Sequence, residues 1–149
     1  MIKPIVETMA AYCNTPSHTQ SLDLQATCAA QAKKAFLEWD AESKKSELFN
    51  MEPLELSNDY QSHYNTKLKK CLILIESSSW LAKTQTITVY LSDAYERRIY
   101  ASYIWNSHPT KKYWEVPPST CELVPSLRNK KTCTSREEFD AFVADYMEE

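Results

Sequence analysis

Tyr60–Trp80 reads YQSHYNTKLKKCLILIESSSW, a polar, aromatic-rich turn running into the most apolar run of the chain. The run predicts a strand over Leu68–Glu76. Alternation puts Cys71, Ile73 and Ile75 on one face and Leu72 and Leu74 on the other. Two apolar faces require two covers, which predicts a central place in a sheet. Cys71 stands at the head of the strand, so the partner of its sulfur decides where the strand lies.

Toward the N-terminus, Asp40–Asp59 is polar and broken by Pro53. It reads as a fraying helix end and then a loop, anchored by Leu48, Phe49, Met51, Leu54 and Leu56. Before it, Ser21 can cap a helix whose stripe runs Leu24, Cys28, Ala32, Ala35, Phe36 and Trp39, with Lys33, Lys34 and Glu38 on the wet side. Residues 1–20 carry Pro4, Asn14 and Pro16 and show no period, so they read as a flexible N-terminal arm. The division is therefore an arm over 1–20 and a single domain over 21–149.

Toward the C-terminus, Thr84–Leu91 and Arg98–Trp105 are rich in β-branched and aromatic residues and predict a hairpin across Ser92–Arg97. Asn106–Thr110 reads as a turn, Lys111–Val116 as a further strand, and Pro117-Pro118 as its stop. Cys121–Val124 reads as a short edge strand. Ser135 with Glu138 is a capping box. Phe139, Phe142, Val143, Tyr146 and Met147 then form one helical stripe. The fold class is α+β: an N-terminal helix, an antiparallel β-meander of about four to five strands, and a C-terminal amphipathic helix packed on the sheet.

The chain has 149 residues, 43% hydrophobic and 11% aromatic, enough for one real core. Lys and Arg number 17 against 20 Asp and Glu, for a net charge of -3, and the basic residues are scattered. Nucleic-acid binders concentrate positive charge, so no nucleic acid is expected as a partner. No run approaches the ~20 apolar residues of a membrane span. Glycine is absent. That excludes the Walker A loop, the dinucleotide-binding turn and the nucleophile elbow, all of which need residues without a side chain. Positions of positive φ are expected to fall to Asn14, Asn50, Asn58, Asn65, Asn106 and Asn129.

Five cysteines without metal spacing point to disulfides, an oxidising compartment and no metal. Cys28 and Cys71 both lie on core-facing stripes and are expected to pair. Cys121 and Cys133 flank a returning loop with Pro125 and Asn129 and are expected to pair as well. Cys13, in the arm, is left as a free thiol, giving a monomer or a Cys13-linked homodimer. Met1–Thr15 has no long apolar run of a signal peptide, and Ala11-Tyr12-Cys13 is a poor lipoprotein box. The expectation is a mature end of a periplasmic or secreted protein with an added Met1.

His63-Tyr64-Asn65 with Leu68, Lys70 and Cys71 resembles the HYNxxLxKC pattern of a family of small exported bacterial proteins of uncharacterised function. Asp93, Glu96, Tyr100, Cys133-Thr134-Ser135 and Glu138-Phe139-Asp140 are similar to further pieces of it, in the same order. The resemblance covers roughly Cys28–Met147 and implies export and a shared fold. Arg97 departs from it, since the family often has glycine there. It carries over no catalytic residue and no cofactor.

Cys71 and His63 form a minimal thiol–base arrangement, and Asp93 and Glu96 a carboxylate pair. The plainer reading of each is structural. A cysteine heading an apolar strand is buried or bonded, His63 and Asn65 order a turn, and Asp93 and Glu96 serve another beside Arg97 and Arg98. Tyr90, Tyr95, Tyr100, Tyr103, Trp105, Tyr113 and Trp114 offer a possible binding surface for a protein or a glycan, or else are covered. The expected function is a non-enzymatic, disulfide-stapled binding module. The alternative is a small enzyme using Cys71 and His63 or the Asp93 and Glu96 pair.

Overall fold

The computed structural model describes residues 18–47 and 54–148. A long helix α1 (His18–Glu47) leads into strands β1 (Leu54–Asn65), β2 (Lys70–Leu81), β3 (Thr84–Asp93), β4 (Ile99–Asn106), β5 (Thr120–Ser126) and β6 (Asn129–Thr132). Helix α2 (Arg136–Met147) closes the chain. The strands pair antiparallel in sequence order, β1-β2-β3-β4-β5-β6, as one six-stranded meander. The α+β arrangement read from the sequence is the one observed, with six strands rather than four or five.

The sheet separates two apolar cores. On one face, Cys71, Ile73 and Ile75 of β2 meet Cys28, Ala32, Ala35, Phe36 and Trp39 of α1. On the other, Leu72 and Leu74 join Val89, Leu91, Ala101, Tyr103 and Trp105 beneath Phe139 and Val143 of α2. Strand β2 is thus covered on both sides, although it stands second in the sheet. Each fully buried Leu or Ile contributes about 1.5–3 kcal/mol relative to exposure, so this short run anchors both helices.

Helix α1 begins at His18, which leaves Ser21 inside it and makes residues 18–20 helical rather than part of an arm. It also continues past Asp40. Lys44 pairs with Asp40 one turn back at 2.7 Å, and the Asn58 side chain donates to the same carboxylate at 2.6 Å. The ammonium of Lys44 and then the Asn58 amide hold the Asp40 carboxyl below its ordinary range. Leu54–Asn65, expected to be loop and turn, is instead an edge strand paired with β2 along its length. Gln25 of α1 closes part of that edge, donating to the Tyr64 carbonyl at 3.0 Å and accepting from its N–H at 2.9 Å.

Lys111–Val116 is not a strand. It carries a 3₁₀ turn at Tyr113–Glu115, where Glu115 accepts from the Lys112 N–H at 2.8 Å. Strand β5 is interior, and Pro125 falls at a register shift where a missing N–H costs no ladder bond. The edge beyond it is β6, short and carrying Lys130 and Lys131, a form that resists further pairing. At α2, the Ser135 hydroxyl accepts from the Glu138 N–H at 3.2 Å, and Glu138 reaches back to the Thr134 N–H at 3.0 Å.

Positive φ falls on Lys69, Ala82 and Arg97, at 53°, 55° and 58°. No described asparagine has it, contrary to expectation, and Asn14 and Asn50 lie outside the described residues. A non-glycine residue there costs about 1–2 kcal/mol. The closed ladders on either side of each turn impose that cost.

Candidate binding surface

Cys28 is bonded to Cys71 with Cα atoms 5.2 Å apart, and Cys121 to Cys133 at 5.0 Å. The first bond fastens α1 to the head of β2. The second fastens β5 to the entry of α2. Cys13 lies outside the described residues.

Cys71 and His63 are not brought together. His63 is paired across the ladder with Leu72, while Cys71 faces α1 with its sulfur held by Cys28. Burial lowers the His63 pKa, and its Nε2 is buried without a hydrogen-bond partner among the described residues. The neighbouring turn is ordered by Asn65 instead. Its oxygen accepts from the Leu68 N–H at 2.8 Å, and its amide donates to the Tyr146 carbonyl at 3.0 Å.

Asp93 is 2% exposed, and one carboxylate oxygen accepts from the N–H groups of Tyr95 at 2.8 Å and Glu96 at 2.9 Å. The other oxygen lies 3.5 Å from the Lys70 ammonium, which also holds Glu96 at 2.5 Å. Glu96, followed by Asp93, raises the Lys70 pKa. Both carboxylates therefore build the β3–β4 turn, and Arg97 there pairs with Glu38 of α1. Among the described residues no group of His, Cys, Asp and Glu could hold a metal ion, and no helix is long and apolar enough to cross a membrane.

The aromatic residues do not form one surface. Tyr100, Tyr103 and Trp105 lie in the α2 core, with Tyr103 against Phe139 and Tyr100 against Tyr146, each at 5.5 Å between centroids. Burial, then a hydrogen bond with Tyr113, drives the Tyr103 pKa far above its ordinary value. Tyr113 packs on Trp105 at 4.7 Å, leaving Trp114, 74% exposed, to carry Lys112 over its ring. Tyr95 is exposed in the β3–β4 turn.

Tyr90 lies on the opposite face, where α1 packs over β1 and β2 and leaves β3 and β4 open. A groove of about 310 Å³ runs there, floored by Ile73 and Ile75 and walled by Trp39 and Ala35 on one side and Tyr90 and Ile99 on the other. Arg97 and Glu42 stand at its rim. Trp39 and Ile99 were legible only as a core residue and a strand residue. Their meeting depends on where α1 stops across the sheet. Comparison of the chain with protein-family models, with curated proteins and with solved structures finds no match.

Proposed function

We propose that the protein is an exported, disulfide-stapled binding module that takes an apolar side chain of a protein partner into the groove between α1 and the open sheet face. The groove itself carries this reading. Its floor and walls are aliphatic and aromatic, and Ile99 is 49% exposed at its mouth. A glycan would require a fan of hydrogen-bonding groups around one ring, whereas aliphatic walls suit a Leu, Ile or Phe anchor. Two disulfides in a small domain support an oxidising compartment. The resemblance of His63–Cys71 to a family of exported bacterial proteins supports the same placement. The enzymatic alternative has lost its parts, since the Cys71 sulfur is bonded and Asp93 and Glu96 are engaged in a turn.

Peptides selected by display on the oxidised protein test the reading. Binding peptides should share an apolar anchor, lose most affinity against Ile99→Lys and keep it against Trp114→Ala. Peptides without such an anchor, or indifferent to Ile99→Lys, would sink the proposal. A thiol count on the denatured, unreduced protein should give one free thiol, that of Cys13, or none where Cys13 links two chains.

A further inference from the structure

A second concavity, on the α2 side, joins charged groups that the groove does not use. A cleft of about 510 Å³ opens at the end of the sheet between the β1–β2 turn, the start of β4, the β5–β6 turn and the last turn of α2. Lys70, Arg98 and Arg128 line it together with Leu68, Leu127 and the rings of Tyr100 and Tyr146.

The three cations differ in what they are already doing. Lys70 is committed to Asp93 and Glu96, and it neutralises those carboxylates in turn. Arg98 and Arg128 pair with no carboxylate among the described residues. The Arg98 guanidinium lies over the Tyr100 ring at 4.8 Å, which fixes its plane, and its Nε is buried without an acceptor among the described residues. An unpaired buried donor on a cation is costly, and a guanidinium edge matches the two oxygens of a carboxylate or phosphate.

Beside it the paired rings of Tyr100 and Tyr146 form an apolar wall. Burial raises both phenol pKa values, so each stays a neutral O–H donor near neutral pH. Leu127, 83% exposed, and Leu68 stand at the mouth. We propose that this cleft binds an organic anion, a carboxylate or phosphate carried on an apolar body. Arg98 grips the oxyanion, Arg128 adds long-range attraction, and the tyrosine pair with Leu68 and Leu127 covers the apolar part. The site lies across the sheet from the groove, so either can fail without the other.

Calorimetric titration of the oxidised protein with octanoate, octyl phosphate, inorganic phosphate and octylammonium tests this. Octanoate or octyl phosphate should bind at millimolar concentration or below, and the tighter of the two names the head group. Inorganic phosphate should bind at least tenfold more weakly, and octylammonium should not bind. Arg98→Gln should weaken binding by about tenfold to a hundredfold, the range for a lost charge-assisted hydrogen bond. Leu127→Asp, on an exposed turn whose substitution leaves the core untouched, places a carboxylate at the mouth and should weaken it about tenfold. Absence of binding by both anions, equal binding of octylammonium, or affinity unchanged in Leu127→Asp and in a folded Arg98→Gln would overturn the proposal.

Discussion

Removing the Cys28–Cys71 bond should cost more stability than removing Cys121–Cys133, by an amount the loop lengths set. The first closes a separation of 43 residues and the second one of 12. In the chain-entropy model these loops correspond to roughly 4 and 3 kcal/mol at 25 °C, a difference of about 1 kcal/mol. The substitution should be to alanine. Cys28 and Cys71 are almost fully buried, and serine would add an unsatisfied hydroxyl to the loss. Against a domain stability of about 5–15 kcal/mol, the longer bond is a large share. At about 2–4 °C per kcal/mol for a chain of this size, Cys28→Ala with Cys71→Ala should lower Tm by roughly 10–15 °C. Helix α1 should nonetheless stay docked, because Gln25 still holds Tyr64, Gln31 donates to the Ala94 carbonyl at 3.0 Å, and Phe36 stacks on Tyr60 at 4.5 Å. Urea unfolding of both double variants, each in a Cys13→Ser background to prevent exchange, measures the two losses. A Cys28/Cys71 loss below about 1 kcal/mol, or one smaller than the Cys121/Cys133 loss, would refute the reasoning.

Three further outcomes are expected. Ala82→Gly should stabilise by up to about 1 kcal/mol, because it relieves a positive φ in an exposed two-residue turn, less the entropy glycine brings; an unchanged unfolding midpoint would count against it. Asn65→Ala should cost about 1–3 kcal/mol, since Asn65 is 1% exposed and its loss strands the Leu68 N–H and the Tyr146 carbonyl; thermal melts within the error of the parent would show that the turn closes without it. The depressed His63 pKa means that the unfolded chain takes up the proton first, so its contribution is whole above about pH 6.5 and is lost as pH falls through the folded-state value. His63→Gln should flatten stability against pH in that window, and an unaltered slope would show that another group carries it.

Much of the fold was written in local periods. The alternation of Cys71–Ile75 announced a strand with two covers, and the α2 stripe with its Ser135–Glu138 cap announced a helix, because each pattern depends only on which residues share a face. The α1 stripe and the Cys28–Cys71 contact followed from the same faces. Strand β1 was not legible, because LELSNDYQSHYN is polar and its extended form is held by the ladder to β2 and by Gln25 rather than by its own pattern. The turns behaved likewise: ladder closure placed positive φ on Lys69, Ala82 and Arg97, overriding the preference that favours asparagine.

Chemistry that depends on convergence was the least visible. Arg98 and Arg128 looked like members of scattered basic clusters, and Tyr146 like a core residue of a closing helix. The sheet's register brings them to one cleft. The sequence by itself determined which faces are apolar, which cysteines face them and how the last helix begins, because these are properties of neighbours along the chain. Only the tertiary structure decided how far α1 reaches across the sheet, which rings are covered and which charges are left unpaired, because each is a relation between residues separated by many positions whose meeting is set by strand order.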